Sequence, residues 1–267
     1  MSYIRIEKPQ PHTSVIVMDR PERMNSMSFD LVIPLHDALD EVANDNDTWC
    51  VILTGTGRGF CSGADTSDME PPPNIEGLTL TRIATRAMTI LSDLVPKMRR
   101  MPQPIICAVN GAAIGGGMCL SLGADVRIAA ESAYFRAAGI NNGLTATELG
   151  LSFLLPKAIG SSRAFEIALS GRDVDAKEAA AIGLVSRTVP DAELMPEALK
   201  LAERINGWST QGIQLTKRMM WAGLETASLD AAIELESHTQ LMVRLTTKNF
   251  EEAARARKQG RKPNFED

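Results

Sequence analysis

An α/β fold is what this sequence predicts, and three observations predict it. Cys50-Val51-Ile52-Leu53-Thr54, Ile105-Ile106-Cys107-Ala108-Val109 and Val126-Arg127-Ile128-Ala129 are short apolar runs rich in β-branched residues, the signature of buried strands. The first two run straight into glycine-rich turns, and segments of helical period separate the strands. The size suits such a fold. A chain of 267 residues and 28.9 kDa is long for one domain and short for two. Folded compactly it would expose roughly 11,000 Å² of the roughly 42,000 Å² of its extended form. With 44% apolar and 23% charged residues it is neither disordered, collagen-like nor a disulfide miniprotein.

The elements follow in order. Tyr3 to Glu7 alternates and Val15-Ile16-Val17-Met18 is compact and apolar, which predicts a hairpin. Arg20-Pro21-Glu22-Arg23 breaks the regularity. Ser28 is placed to cap a helix carrying Leu31, Leu35, Leu39 and Val42 on one face, with Pro34 expected to kink it. After the strand at 50–54 the segment 67–77, with three consecutive prolines, is read as a loop. From Thr79 a stripe of Leu80, Ile83, Ala84, Ala87, Leu91, Leu94 and Met98 predicts a core-facing helix. A second helix is expected over Met118 to Leu122. Beyond Pro156 the pattern is mostly helical, with Asp175 as N-cap and Gly183 as stop for Ala176 to Ile182. A boundary near residue 200 divides the chain into a core at 1–200 and a helical region at 201–267. The basic cluster Arg255, Arg257, Lys258, Arg261 and Lys262 reads equally as a solvated face or a phosphate-binding surface.

Composition excludes several classes of function. A net charge of −5 and a pI near 5.4 argue against a nucleic-acid surface. No apolar run reaches membrane-spanning length, and MSYIRIEKPQ lacks the layout of a secretory signal, so a cytoplasmic protein without membrane partners is expected. The cysteines Cys50, Cys61, Cys107 and Cys119 form no CxxC pair, and His12, His36 and His238 are the three histidines, so no metal site is expected. HExxH and GxSxG are absent, and Gly59-Phe60-Cys61-Ser62-Gly63 places its serine one residue late for the latter.

Two strand-to-helix turns carry the candidate chemistry: Gly59-Phe60-Cys61-Ser62-Gly63-Ala64-Asp65 and Asn110-Gly111-Ala112-Ala113-Ile114-Gly115-Gly116-Gly117. The second opens a helix whose first N–H groups lack intrahelical partners. Small residues let a ligand approach such backbone closely, and the positive end of a helix suits a developing oxyanion. Neither turn is a phosphate loop, because no Gly-Lys-Ser/Thr follows.

These blocks resemble the enoyl-CoA hydratase/isomerase (crotonase) family. The similarity runs from Asp19-Arg20-Pro21-Glu22-Arg23 to Arg261-Lys262-Pro263-Asn264-Phe265 and is carried by GRGFCSGAD at 57–65, PIICAVNGAAIGGG at 104–117 and GRDVDAKEAAAIGLVSR at 171–187. It implies a spiral core of repeated ββα units and a C-terminal helical region that builds homotrimers, often paired into hexamers. It also implies acyl-CoA substrates and no cofactor, coenzyme A being part of the substrate. The oxyanion hole falls on the backbone N–H groups of Ala64 and Gly116. Arg23, Met24, Ser26, Asp65, Thr66 and Ser67 match segments that line the substrate and its CoA. Arg257 and Gly260 stand where a Phe and a Lys near the CoA are common.

The departures from that pattern bear on the reaction. The two positions that carry glutamates in hydratases of this kind hold Cys119 and Gly139, so neither can share the proton transfers of water addition. Thr147-Glu148-Leu149-Gly150-Leu151 resembles the segment with the single catalytic glutamate of some Δ3,Δ2-enoyl-CoA isomerases. On that match Glu148 is the proton shuttle; otherwise it only caps its helix beside Thr145 or Thr147. Cys119, in the first turn of a helix, reads as an apolar filler before it reads as a nucleophile. Asp68 and Glu70 are two further carboxylates near the turn. Competing readings are a weak hydratase using Glu148 alone, an acyl-CoA-binding protein without chemistry, and a serine peptidase, which lacks a suitable histidine.

Overall fold

A hairpin starts the larger of two sheets. β1 (Ile4–Gln10) and β2 (Thr13–Met18) pair antiparallel, with Ile4 opposite Met18 and Glu7 opposite Val15. The structure, a computed structural model, describes residues 2–67 and 70–265. Three repeats follow, each of one longer and one shorter strand: β3 (Cys50–Gly55) with β4 (Gly59–Cys61), β5 (Ile105–Val109) with β6 (Ala112–Ile114), and β7 (Val126–Ala130) with β8 (Tyr134–Arg136). The short strands β9 (Val174–Asp175) and β10 (Arg187–Val189) complete the set among the described residues. The larger sheet has the order β1-β2-β3-β5-β7-β10 and the smaller β4-β6-β8-β9. Successive repeats pair parallel, so each adds one strand to both sheets and the chain advances as a spiral. β2, β3 and β5 are buried almost throughout, which is why their sequences are continuously apolar rather than alternating.

Helices fill the connections. α1 (Phe29–Ala43) starts after Ser28 and runs through Pro34, burying Leu31, Leu35, Leu39 and Val42 as its pattern requires. Ser28 occupies the N-cap position, but its hydroxyl makes no capping bond and instead accepts from Arg20 Nη1 at 3.0 Å. The stripe expected over 79–98 divides into α2 (Leu80–Ser92) and α3 (Leu94–Arg100). Pro96 has no N–H to offer the Ser92 carbonyl, so the ladder breaks there. α3 buries Leu94, Val95 and Met98 in the core, and α2 packs only Ile90 and Leu91 against it. The rest of α2 is more open, Leu80 being 82% and Met88 57% exposed. α4 (Gly116–Gly123) begins two residues before the apolar run that predicted it and is buried along its length.

α5 (Leu151–Ile159), α6 (Ser161–Ser170) and α7 (Ala176–Ile182) follow. The Asp175 carboxylate caps α7 by accepting the Glu178 N–H at 2.7 Å, and Gly183 ends it at φ 82°. β9 and β10 escape a sequence reading because two or three residues show no period. α8 (Leu194–Asn206) packs Leu194, Ala198 and Ala202 onto the larger sheet. α9 (Thr210–Glu225), α10 (Leu229–Thr246) and α11 (Asn249–Gln259) bury only Lys217 and Ala256. In the basic cluster, Arg261 is engaged by Glu252 at 2.6 Å and Arg255 lies 3.8 Å from the same carboxylate. The chain exposes 14162 Å², well above the roughly 11,000 Å² of a compact monomer of this mass. No helix among the described residues is long and apolar enough to cross a membrane.

One buried charge fastens α9 to the core. Lys217 Nζ donates to the carbonyls of Met98 at 3.0 Å and Gln103 at 2.8 Å and pairs with Asp125 at 3.0 Å. Asp125 also accepts the Trp221 indole N–H at 2.7 Å. Lys217→Ala leaves a buried carboxylate without its cation and two carbonyls without a donor. We expect a loss of about 3 kcal/mol in denaturant unfolding, with Trp221 fluorescence reporting the transition.

Candidate active site

The two glycine-rich turns meet. Gly63 takes φ 80°, and a Cβ built on it would lie 2.7 Å from the Ile114 carbonyl oxygen and 3.2 Å from the Gly116 nitrogen. A Cβ on Gly117 would lie 1.9 Å from the Cys61 carbonyl oxygen, and one on Gly111 2.2 Å from that of Arg58. Only glycine permits these approaches. They bring Ala64, just after β4, beside Gly116, the first residue of α4. Neither the Ala64 nor the Gly116 N–H has a hydrogen-bond partner among the described residues. Gly115 at φ 53° turns the chain into α4, so the Gly116 amide lies at the positive end of that helix. Two amides without partners among the described residues thus lie on adjacent turns, and unpaired backbone donors of this kind are the type of group that suits a developing oxyanion.

A buried ion cluster fixes the first turn. Asp65, its side chain 3% exposed, accepts from Arg20 Nη1 at 2.9 Å, Arg23 Nη2 at 2.8 Å, Ser26 Oγ at 2.8 Å and the Ser67 N–H at 3.1 Å. Burial alone would push its carboxyl up. The hydrogen bonds from Arg23, Ser26 and Ser67 outweigh that and hold it down at about 2. Ser26 and Asp65, expected to line the substrate, therefore face inward and hold the loop 20–28 against the Ala64 turn. Arg23 is half-buried and spends its guanidinium on Asp65, Met24 is half-buried, and Thr66 and Ser67 are exposed beside Ala64. Asn25 was not singled out by sequence reasoning, yet it is fully buried. It accepts the Arg20 N–H and donates to the carbonyls of Thr56 and Gly59. Its left-handed φ of 54°, a conformation asparagine tolerates, is the signal that marks such a residue.

Glu148 stands over the second turn. Its Oε1 lies 3.0 Å from where a Gly115 Cβ would be, and the Leu149 side chain lies 3.3 Å from where a Gly116 Cβ would be. The capping role does not hold: α5 begins at Leu151, its N-cap is Gly150, and no side chain caps it. Half-buried, Glu148 has its pKa raised above 4.5 by desolvation. Cys119 is fully buried in α4, and burial first and Glu148 second push its thiol well up, so the nucleophile reading fails. A Cβ at Gly139 would lie 1.9 Å from the Thr145 carbonyl oxygen, which leaves no room for a side chain. Asp68 lies outside the described residues. Glu70, exposed, borders a separate cavity of about 280 Å³ with Ser28, Phe29 and Pro71. No group of three His, Cys, Asp or Glu placed to hold a metal occurs among the described residues.

Two amides without partners among the described residues, on adjacent turns, with a half-buried, desolvated carboxylate beside the second turn, make up the candidate site of this spiral α/β fold. Residues 10–267 match the family described as enoyl-CoA hydratase/isomerase. The chain is 56% identical over its full length, and 94% of the relative's, to the probable enoyl-CoA hydratase EchA12 of Mycobacterium tuberculosis. It is 36% identical to the 1,2-epoxyphenylacetyl-CoA isomerase of Escherichia coli over 84% of each chain. The crystal structure of a probable enoyl-CoA hydratase/isomerase from Mycobacterium abscessus superposes with a TM-score of 0.95 at 53% identity, covering 99% of this chain and 98% of that one. A monofunctional enoyl CoA isomerase from M. smegmatis gives 0.74 at 51% identity, covering 87% and 99%. The chain belongs to the enoyl-CoA hydratase/isomerase family, and its fold is the crotonase spiral.

The ion cluster predicts a pH signature. The folded pKa of Asp65, about 2, lies below the roughly 3.9 of an unfolded aspartate. Its contribution is therefore complete above about pH 4 and is lost as pH falls towards 2. Asp65→Ala, which removes the buried carboxylate that Arg20 and Arg23 share, is expected to cost about 3 kcal/mol at pH 7 and to flatten the stability curve between pH 4 and 2, read by urea titration at each pH.

Proposed function

We propose that the protein is a Δ3,Δ2-enoyl-CoA isomerase with Glu148 as its single proton carrier. One observation carries this reading: Glu148 is the carboxylate that abuts the Gly115–Gly116 turn, while the two positions that serve water addition hold a buried thiol and a glycine without space for a side chain. The thioester oxygen of a 3-enoyl-CoA would accept from Ala64 N–H and Gly116 N–H. The Glu148 carboxylate removes a proton from C2, and the electron pair moves onto the oxygen to give a dienolate. The same carboxyl group, now protonated, returns the proton at C4 as the C2–C3 double bond forms. Protons and electrons balance within the acyl chain, so one base is enough and no cofactor beyond the substrate's own CoA is needed.

Several relatives carry hydratase names, which makes hydration the second reading. Hydration requires a proton delivered at C2 and a water activated at C3, a task for two groups. Glu148 alone supplies one. The exposed apolar side chains of α2 and α10, among them Leu80, Met88, Leu229, Leu241 and Leu245, support a homotrimer or a dimer of trimers. Light scattering on the purified protein is expected to give three or six chains, and one chain would refute the assembly.

The decisive experiment is proton NMR in D₂O with a 3-enoyl-CoA and a 2-enoyl-CoA. Conversion of the first to the second is expected, with a loss of at least about 10²-fold in Glu148→Gln. Wild-type turnover in that variant would refute Glu148 as the proton carrier, and no conversion of either substrate by the wild-type protein would leave only binding. Because burial raises the Glu148 pKa, the acid limb of kcat/KM should lie above the range of an ordinary glutamate. The folded state holds this proton more tightly than the unfolded chain, so the group favours folding below its unfolded pKa and opposes it as pH rises past the folded value. Glu148→Gln should accordingly raise the melting temperature at neutral pH.

A further inference from the structure

We propose that Cys119 is a positioning residue for Glu148, holding the left-handed turn from which the carboxylate projects. The inference rests on the reading of Glu148 as proton carrier. No hydrogen bond or ion pair reaches the Glu148 carboxylate among the described residues, so its place is set by its own backbone and by packing against Gly115. That backbone is unusual. Leu149 takes φ 44° and Gly150 φ 88°, two left-handed residues in succession, the first a conformation that strains a side chain with a Cβ. Such a turn persists only where its surroundings hold it.

The Glu148 carbonyl is where it is held. It accepts the Leu151 N–H at 2.8 Å and the Cys119 thiol at 3.3 Å. The first bond is local to the turn. The second comes from α4, the helix whose first residue supplies the Gly116 amide. One helix therefore carries an oxyanion donor at its start and, three residues on, the anchor of the proton carrier. The Leu149 side chain, 3.3 Å from the missing Gly116 Cβ, closes the same contact from the other side. Base and oxyanion site are thus fixed to a common rigid element, the arrangement that keeps a reacting pair in register. Burial keeps the thiol protonated and able to donate.

The test compares Cys119→Ala and Cys119→Ser, each in the wild-type and Glu148→Gln backgrounds, by 3-enoyl-CoA isomerisation. Cys119→Ala is expected to lower kcat about 10-fold with KM within about twofold, since the oxyanion donors remain in place. The acid limb of kcat/KM should move to lower pH, because a loosened carboxylate reaches water. Cys119→Ser keeps a donor on a shorter arm and should lose less. In the Glu148→Gln background Cys119→Ala should add nothing. A lowered melting temperature with kcat and the acid limb unchanged would overturn the proposal and leave Cys119 as packing. So would the same fractional loss in both backgrounds. Full activity in Glu148→Gln alone would instead refute the proton-carrier reading, and this proposal with it.

Discussion

Two backbone turns touch at distances that only glycine permits, and the site depends on that contact. Gly63 against Ile114, Gly111 against Arg58 and Gly117 against Cys61 replace side-chain packing with main chain on main chain. The gain is geometric. Parallel pairing of β4 with β6 sets the two turns side by side, and the missing Cβ atoms let the chain around Ala64 approach the start of α4 at Gly116. Each glycine gives up stability through backbone entropy, so the contact must be over-determined elsewhere. The continuous apolar strands β2, β3 and β5 beneath the turns supply that, because they anchor the ends of both segments in the most buried part of the molecule.

Electrostatics completes what packing begins. The first turn is tied to the 20–28 loop by Asp65, whose charge is surrounded by two guanidiniums, a hydroxyl and an amide. Asn25 and Asn110 do the equivalent work with neutral groups, both donating to the Gly59 carbonyl. The second turn has no comparable charge. There the neighbour is the Glu148 carboxylate, which no hydrogen bond or ion pair reaches among the described residues, and the difference separates the two carboxylates. Asp65 is lowered and inert, a structural anion. Glu148 is raised by desolvation, and its carboxylate has no partner among the described residues.

Much of this was legible in the sequence, for physical reasons. Continuous apolar runs announced the strands at 50, 105 and 126 because those strands are covered on both faces. The glycine clusters announced turns that needed close approach. The helix capped by Asp175 was legible because capping is local chemistry. What escaped depended on partners distant in sequence. The stripe from Leu80 to Leu91 has the period of a core helix, yet no residue of α2 is fully buried and only its C-terminal Ile90 and Leu91 pack against the core, since periodicity shows a helix has an apolar face and not what covers it. Ser26 and Asp65 carry the polarity of ligand-binding residues, and only the fold reveals that they satisfy one another. The glycine at 139 looks like a mere substitution until the Thr145 carbonyl is seen to occupy the space of its Cβ.

That collision links the backbone to the choice of chemistry. A carboxylate at 139 would require the segment from Gly139 to Ala146 to move, and the same segment leads directly into the turn that carries Glu148. The loop that closes over position 139 is therefore the one that delivers the remaining acid. Moving it to admit a second carboxylate would displace the first. On the proposed reading such a site has one proton carrier beside one oxyanion hole, which suits a proton moved between two carbons of the same chain. Without a partner for its carboxylate among the described residues, the desolvated Glu148 opposes folding at neutral pH, and on the proposed reading that cost accompanies its role, because a lowered, fully paired carboxylate like Asp65 would be too weak a base for the task.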